Sequence, residues 1–352
     1  GHQPSGRLAQ GYVGPETTRC SQRQKIMIGN EKILEVRDLK TYFFTNMGVV
    51  RAVDGASFLL RKGQALGIVG ESGSGKSVTS LSILRLVPKP AGRIVEGEIL
   101  YRGEDLVKKS QKEMREYRGK RLFMISQDPM TSLNPVFTIG NQIGEAIRRR
   151  EKLRGNDLKK RIIKMLKLVH IRSSESRINA YPHQFSGGMK QRVMISMALA
   201  CQPEILIADE PTTALDVTIQ AQILKLMKEI REKYNTSIIL ITHDLGVVAG
   251  FCDYVLVMYA GKIVEQADVK TLFHGNRHPY TRGLLNSLPC RGKKQRRLEG
   301  IKGQPPDLLN LPGGCPFEPR CEYSVHRCAY EYPPTESVGK GHLISCWRWR
   351  EI

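Results

Sequence analysis

A short apolar run that breaks into a glycine-rich loop and then into a helix leaves few folds open to a chain. Here Gln64-Ala65-Leu66-Gly67-Ile68-Val69 reads as a buried strand, Gly70-Glu71-Ser72-Gly73-Ser74-Gly75-Lys76-Ser77 as the loop, and Val78 to Leu86 as a helix. Strand, G-x-x-x-x-G-K-S and helix in that order predict a phosphate-binding loop at the edge of an α/β sheet. The amides of Gly70, Ser72, Gly73, Ser74 and Gly75 wrap phosphate oxygens in such a loop, and the helix start at Ser77 and Val78 adds positive potential. Lys76 then neutralises the β- and γ-phosphates, and the Ser77 hydroxyl suits Mg²⁺.

Further apolar strands deliver polar groups to the same kind of edge. Glu204-Ile205-Leu206-Ile207-Ala208 ends in Asp209-Glu210 and the breaker Pro211, where ligands gather in parallel sheets. Asp209 is the candidate Mg²⁺ holder, and Glu210 the group that polarises an attacking water. Ser237-Ile238-Ile239-Leu240-Ile241 runs into Thr242-His243-Asp244, which offers His243 as a donor to the γ-phosphate. Between these segments lies Phe185-Ser186-Gly187-Gly188-Met189-Lys190-Gln191-Arg192. Its glycine pair lets backbone N–H groups approach an anion, and Ser186 is placed to cap the helix that follows.

Composition sets the outer limits. No uninterrupted apolar run approaches the roughly 18 residues of a membrane span, and the richest runs, Ser237 to Ile241 and Tyr254 to Tyr259, are of strand length. The formal charge of +21 suits a polyanionic partner without naming one, and most of it reads as solvated surface. Residues 1–26 lack periodicity and read as a vector-derived or disordered leader before Met27, without the apolar centre of a signal peptide. A cytosolic chain is expected.

Together these residues resemble the ATP-binding cassette family. Gly70 to Ser77 matches its Walker A, Gln127 in Ile125-Ser126-Gln127-Asp128-Pro129 its Q-loop, and Ser186-Gly187-Gly188 its signature. Ile205 to Glu210 matches Walker B, Ala214-Leu215-Asp216 the D-loop, and His243 the switch histidine. Phe185 and Met189 depart from the commonest signature, which has Leu and Gln at those places. The resemblance implies an α/β P-loop fold with a RecA-like core sheet and an antiparallel β subdomain. It also implies a helical signature subdomain at about 128–200 and a small cysteine-rich extension at 289–352, after a nucleotide-binding domain at 27–288. It implies ATP hydrolysis, with Mg²⁺ held by Ser77, Asp209 and Gln127, and Ser186, Gly187, Gly188 and Asp216 reaching nucleotide across a pair of cassettes. An aromatic before Walker A stacks on adenine in this family, and Phe43 fits the spacing best, with Tyr42 in reserve.

The branch is narrowed by Gln127 to Pro135, Tyr181-Pro182-His183-Gln184, Ala208 to Thr218 and Arg277-His278-Pro279-Tyr280-Thr281, which resemble the oligopeptide/dipeptide importer ATPases. The implied partners are two membrane permease subunits, a second cassette that is a copy or a homologue, and indirectly an extracytoplasmic peptide-binding protein. The implied place is the cytoplasmic face of a prokaryotic membrane, with peptides or, in close relatives, nickel chelates as cargo. Leu158 to Val169 has the amphipathic spacing of a helix that would receive the membrane subunits. A soluble cassette in nucleic-acid or ribosome work is the competing function. One cassette, no heptad run and no aromatic-basic interleaving argue against it, and no nucleic-acid partner is expected.

Cys315, Cys321, Cys328 and Cys346 carry a second chemistry, with five, six and seventeen residues between successive members. Their proline- and glycine-rich surroundings have little capacity for a core, so a metal staple is expected. Thiolates suit zinc or an iron–sulfur cluster, and gaps wider than the usual zinc pairs tilt the choice to iron. Some peptide-importer ATPases resembling this spacing hold a four-iron four-sulfur cluster, while structural thiols or disulfides are the alternative. Cys201, Cys252 and Cys290 read as packing residues, and Cys20 falls in the leader. Arg291 to Arg297 reads as a basic solvated linker.

Overall fold

The computed structural model describes residues 30–128, 132–213, 215–288 and 300–352. The leader, Cys20, Cys290, Pro129 to Thr131, Ala214 and the basic run Arg291 to Arg297 lie outside the described residues.

Two sheets meet face to face. β1 (Lys32–Thr45) and β2 (Gly48–Arg61) form a long hairpin, and β4 (Gly92–Tyr101) and β5 (Glu104–Asp105) extend it into an antiparallel sheet ordered β2-β1-β4-β5. The second sheet contains β3 (Ala65–Val69), β6 (Leu122–Ile125), β7 (Ile205–Asp209), β8 (Ser237–Ile241), β9 (Tyr254–Tyr259), β10 (Lys262–Asp268), β11 (Glu336–Gly339) and β12 (His342–Ile344). Its order is β11-β12-β10-β9-β3-β8-β7-β6. β9, β3, β8, β7 and β6 run parallel, while β10, β12 and β11 are antiparallel additions.

The parallel strands are buried along their whole length in β3, β7 and β8, which is why they read as unbroken apolar runs. Side chains nonetheless alternate between two cores. Leu66, Ile68, Ile205, Ile207, Ile239 and Ile241 face the antiparallel sheet, and their neighbours Ala65, Val69, Leu206, Ala208, Ile238 and Leu240 face the helices.

The helices, in chain order, are α1 (Lys76–Ile83), α2 (Gln111–Tyr117), α3 (Ile139–Arg150), α4 (Gly155–Leu168), α5 (Ser174–Arg177), α6 (Gly187–Cys201), α7 (Val217–Tyr234), α8 (Leu245–Phe251), α9 (Val269–Gly275), α10 (Pro279–Asn286) and α11 (His326–Tyr330). α3 to α6 form the helical subdomain that the sequence led us to expect. The apolar stripe of α4, Ile162, Met165 and Leu166, is buried in the same core as Ile143 and Ile147 of α3 and Val193 of α6. Packing within the subdomain therefore accounts for the amphipathic spacing there. Thr138, Ser186, Asp216 and Asp244 cap α3, α6, α7 and α8 with side-chain oxygens, as the residue types before each apolar run require. No described helix is long and apolar enough to cross a membrane.

The cysteine-bearing tail shares the main core, where the sequence suggested it had little core to draw on. Leu343 and Ile344 of β12 pair with Gln266 and Glu265 of β10, and Ser345 N–H donates to Val264 O at 2.9 Å. The buried Glu265 carboxylate accepts from Arg277 N–H at 2.8 Å and His278 N–H at 3.2 Å, and lies 2.8 Å from His342 Nε2. Phe317 is buried against Tyr259 and Tyr280, with ring centroids 5.2 and 5.4 Å away. Ile344 is 1 % exposed, so Ile344→Ala is expected to cost about 2–5 kcal/mol. A lower urea midpoint at unchanged slope would report it.

Candidate nucleotide site

Parallel pairing of β3, β8 and β7 sets the C-terminal ends of these strands side by side. The phosphate loop follows β3, Glu210 follows β7 and His243 follows β8. In the loop, Gly75 has φ of 101°, and a Cβ there would sit 2.3 Å from the Ala52 carbonyl oxygen. Gly70 meets the same limit, since its Cβ would sit 2.2 Å from Met258 O. Lys76 is buried and curled into the loop, its Nζ donating to Gly70 O at 2.8 Å, Glu71 O at 2.7 Å and Ser74 Oγ at 3.3 Å. Burial pushes its pKa down, against the pull of Glu210, Asp209 and Glu71.

Asp209 is 3 % exposed, and its Oδ1 has no hydrogen-bond partner. Burial holds its carboxyl above the usual range, opposed by a hydrogen bond from Ser77 and reinforced by the charge of Glu210. A buried carboxylate oxygen left open beside the Ser77 hydroxyl is a donor set that fits a hard divalent cation. Glu210 follows with φ of 45°, its N–H donating to Ile241 O at 2.9 Å. Its carboxylate accepts from Gln127 Nε2 at 3.1 Å, and His243 Nδ1 lies 3.4 Å from the other oxygen. The three residues expected around the hydrolytic water thus meet at one carboxylate. Thr213 also donates to it, at 2.9 Å, a contact that sequence reasoning missed.

The remaining candidates are distributed around this centre. Ser186 Oγ accepts from Met189 N–H at 3.4 Å, and a Cβ on Gly188 would touch Ile219 Cγ2 at 3.0 Å, so the signature turn stands against the start of α7. Gly187 faces Leu215, and Asp216 Oδ1 caps the same helix through Ile219 N–H at 2.9 Å. Tyr42 donates to Asp54 Oδ1 at 2.7 Å, and Asp54 also meets Lys262 at 2.8 Å, beside the Gly261 N–H that donates to Ser74 O at 3.0 Å. Phe43 pairs with Gly92 and lies in the corner that Val87 also lines. Glu71 has two partners that the sequence did not announce. Its N–H donates to Tyr280 OH at 2.8 Å, and its carboxylate accepts from both terminal nitrogens of Arg320.

Cys315, Cys321, Cys328 and Cys346 are all free and border one pocket with His278 and Phe317. Burial pushes the Cys315 thiol up to about 12 and Cys346 up to about 11, and raises Cys321 too. Among the described residues no three His, Cys, Asp or Glu side chains close on a single metal ion. Tetrahedral zinc, with Zn–S bonds of about 2.3 Å, would bring sulfurs to about 4 Å. Cys201 and Cys252 are buried packing residues, as expected.

A phosphate loop whose neighbouring strand ends supply a buried aspartate with an unpartnered oxygen, and a glutamate gathered with Gln127 and His243, defines a P-loop ATPase of the cassette type. Residues 53–213 match the ABC transporter family, and residues 264–328 match the oligopeptide/dipeptide transporter C-terminal region. A probable peptide ABC transporter ATP-binding protein of Sinorhizobium fredii is 51% identical over 91% of this chain and 96% of its own. The oligopeptide transport ATP-binding protein OppD of Bacillus subtilis is 53% identical over 91% of this chain and 90% of its own. A dimeric ATP-binding cassette solved in a post-hydrolysis state with ADP and phosphate covers 67% of this chain and 99% of its own, at a TM-score of 0.61 and 25% identity. The chain belongs to the ATP-binding cassette transporter family, among its oligopeptide/dipeptide ATP-binding proteins, and is an ATPase.

The raised pKa of Asp209 gives a prediction with a definite sign. Below the ordinary carboxylate range Asp209 is protonated in native and unfolded chains alike, and between that range and its raised native value stability is lost as pH rises. Ionised Asp209 therefore costs stability at neutral pH. Asp209→Asn is expected to stabilise the nucleotide-free protein at pH 7 by about 0.5–2 kcal/mol, a gain that fades as pH falls through that window, while Mg²⁺-dependent ATP binding is lost. Denaturation at several pH values, with and without Mg·ATP, checks both halves.

Proposed function

We propose that this chain powers the import of di- and oligopeptides through two partner membrane subunits, bound at the cytoplasmic face of the membrane and paired with a second cassette. The convergence of Gln127, Thr213 and His243 on the Glu210 carboxylate beside the phosphate loop carries the hydrolytic half of this reading. The peptide half is supported by the C-terminal region match and by relatives named as peptide transport ATP-binding proteins.

In this mechanism the loop amides and Lys76 bind the β- and γ-phosphates, with Lys76 exchanging its loop carbonyl partners for phosphate oxygens. Ser77, Asp209 and Gln127 would hold Mg²⁺, which would supply positive charge to offset that developing on the phosphates. Glu210 orients and deprotonates the attacking water, and His243 donates to the γ-phosphate. Phe43 would stack on adenine, with Tyr42 in reserve; the Asp54 partner of Tyr42 is also held by Lys262, beside the Gly261 N–H that donates to Ser74 O. Ser186, Gly187, Gly188 and Asp216 serve the nucleotide of the opposite cassette, so that ATP closes the pair and hydrolysis releases it.

In the tail, an iron–sulfur cluster held by Cys315, Cys321, Cys328 and Cys346 is supported by the four thiols bordering one pocket and by sequence gaps wider than those of the usual zinc pairs. It would supply a covalent staple between segments that are far apart in sequence.

Two outcomes are expected. Reconstituted with two permease subunits and a binding protein of a peptide importer, the chain should show peptide-stimulated ATPase activity, and Glu210→Gln should lower turnover by about 100-fold or more while leaving a nucleotide-held dimer on gel filtration. Unchanged turnover would remove Glu210 from its role, and stimulation by another solute would reassign the cargo. Protein purified without oxygen should be brown and contain iron and acid-labile sulfide. Stoichiometric zinc with neither would decide the tail against a cluster.

A further inference from the structure

Glu71 opens the variable part of the phosphate loop, and residues that hydrolysis leaves unused hold it from the tail. Arg320 donates through Nη1 to Glu71 Oε2 at 2.7 Å and through Nη2 to Glu71 Oε1 at 3.0 Å. Its side chain is only 5% exposed, and it also meets Tyr259 OH at 3.1 Å and, through Nε, Lys302 O at 2.9 Å. A two-pronged guanidinium–carboxylate pair fixes direction as well as distance, which a lysine does not. The Glu71 carbonyl in turn accepts from Lys76 Nζ at 2.7 Å, so the Glu71 residue stands between Arg320 and the phosphate-binding ammonium. Pro305, Pro306 and Leu308 of the tail line a crevice against Glu71, Ser72 and Ser74, a second contact between tail and loop.

The other end of this linkage is the thiol pocket. Arg320 immediately precedes Cys321, in a turn where Glu318 N–H donates to Cys315 O at 3.0 Å and Cys321 N–H donates to Glu318 O at 3.0 Å. Any rearrangement of Cys315 and Cys321 therefore moves the backbone that carries Arg320. We propose that Arg320 is a positioning residue for the phosphate loop, and that through it the nucleotide site and the four-thiol pocket are coupled. This rests on reading the loop as a nucleotide site. Because binding linkage is reciprocal, whatever orders the Cys315–Cys321 turn tightens Mg·ATP, and Mg·ATP orders the turn by the same factor.

The test uses the full chain, titrated calorimetrically with Mg·ATP and followed by amide exchange. Arg320→Ala is expected to weaken Mg·ATP by about tenfold and Arg320→Lys by less. Glu71→Gln should weaken it similarly, and the double variant Arg320→Ala with Glu71→Gln should be no weaker than either alone. Mg·ATP should slow exchange at the Glu318, Arg320 and Cys321 amides of the unaltered chain and not in either single variant. A purely structural brace would lower thermal stability without removing that nucleotide-dependent protection. Affinity within twofold of the unaltered chain in Arg320→Ala, or additive losses in the double variant, overturns the proposal. If Arg320→Ala does not fold, Arg320→Lys carries the test, since it keeps the charge and loses the fork. Failure of the unaltered chain to bind Mg·ATP would instead remove the nucleotide reading, and the coupling with it.

Discussion

The parallel register of β3, β8 and β7 is the constraint on which the rest depends. Gly67 and Ala208 both lie opposite Leu240, so three loops leave the sheet at one level. The proposed chemistry needs Lys76, Asp209, Glu210 and His243 within reach of one phosphate, and no loop could provide that if a strand slipped by a residue. A slip would also turn each strand's two faces over, exchanging Leu66 and Ile68 with Ala65 and Val69 between two cores of different shape. Packing on both sides of the sheet therefore protects the geometry of the site.

Much of this was legible in the sequence, because it is encoded locally. β8 and β9 occupy the apolar runs Ser237 to Ile241 and Tyr254 to Tyr259 without change, since a strand buried on both faces has no polar interruption. Ser186 announced its helix through the need of the first turn for a side-chain acceptor. The convergence of Gln127, Glu210 and His243 was legible only through resemblance, since no local rule joins the ends of three strands. Tyr42 and Phe43 were hard to rank because register shifts at Thr41/Tyr42 in the β1–β2 pair disturb simple alternation. Thr213 and Arg320 gave no signal. One is an ordinary residue next to the acidic pair, and the other lies 249 residues from its partner.

Residues 209 and 210 also show how function departs from local preference. Asp209 is buried with an oxygen left unmatched, and Glu210, a residue with no special liking for positive φ, sits at 45°. Both are tolerated because β7 is held between β8 and β6 and the Glu210 N–H is tied to Ile241 O. The surrounding sheet supplies the stability that the site gives up.

The tail contributes in another way, through the outer side of the core sheet. Without β12, strand β10 would present a row of unused backbone donors and acceptors to solvent, an invitation to pair with any extended chain nearby. β12 and β11 occupy that row with strands of three and four residues, too short to template much further addition. In the paired state proposed for this chain, closing this flank keeps association by β-strand addition from competing with the face that ATP would join.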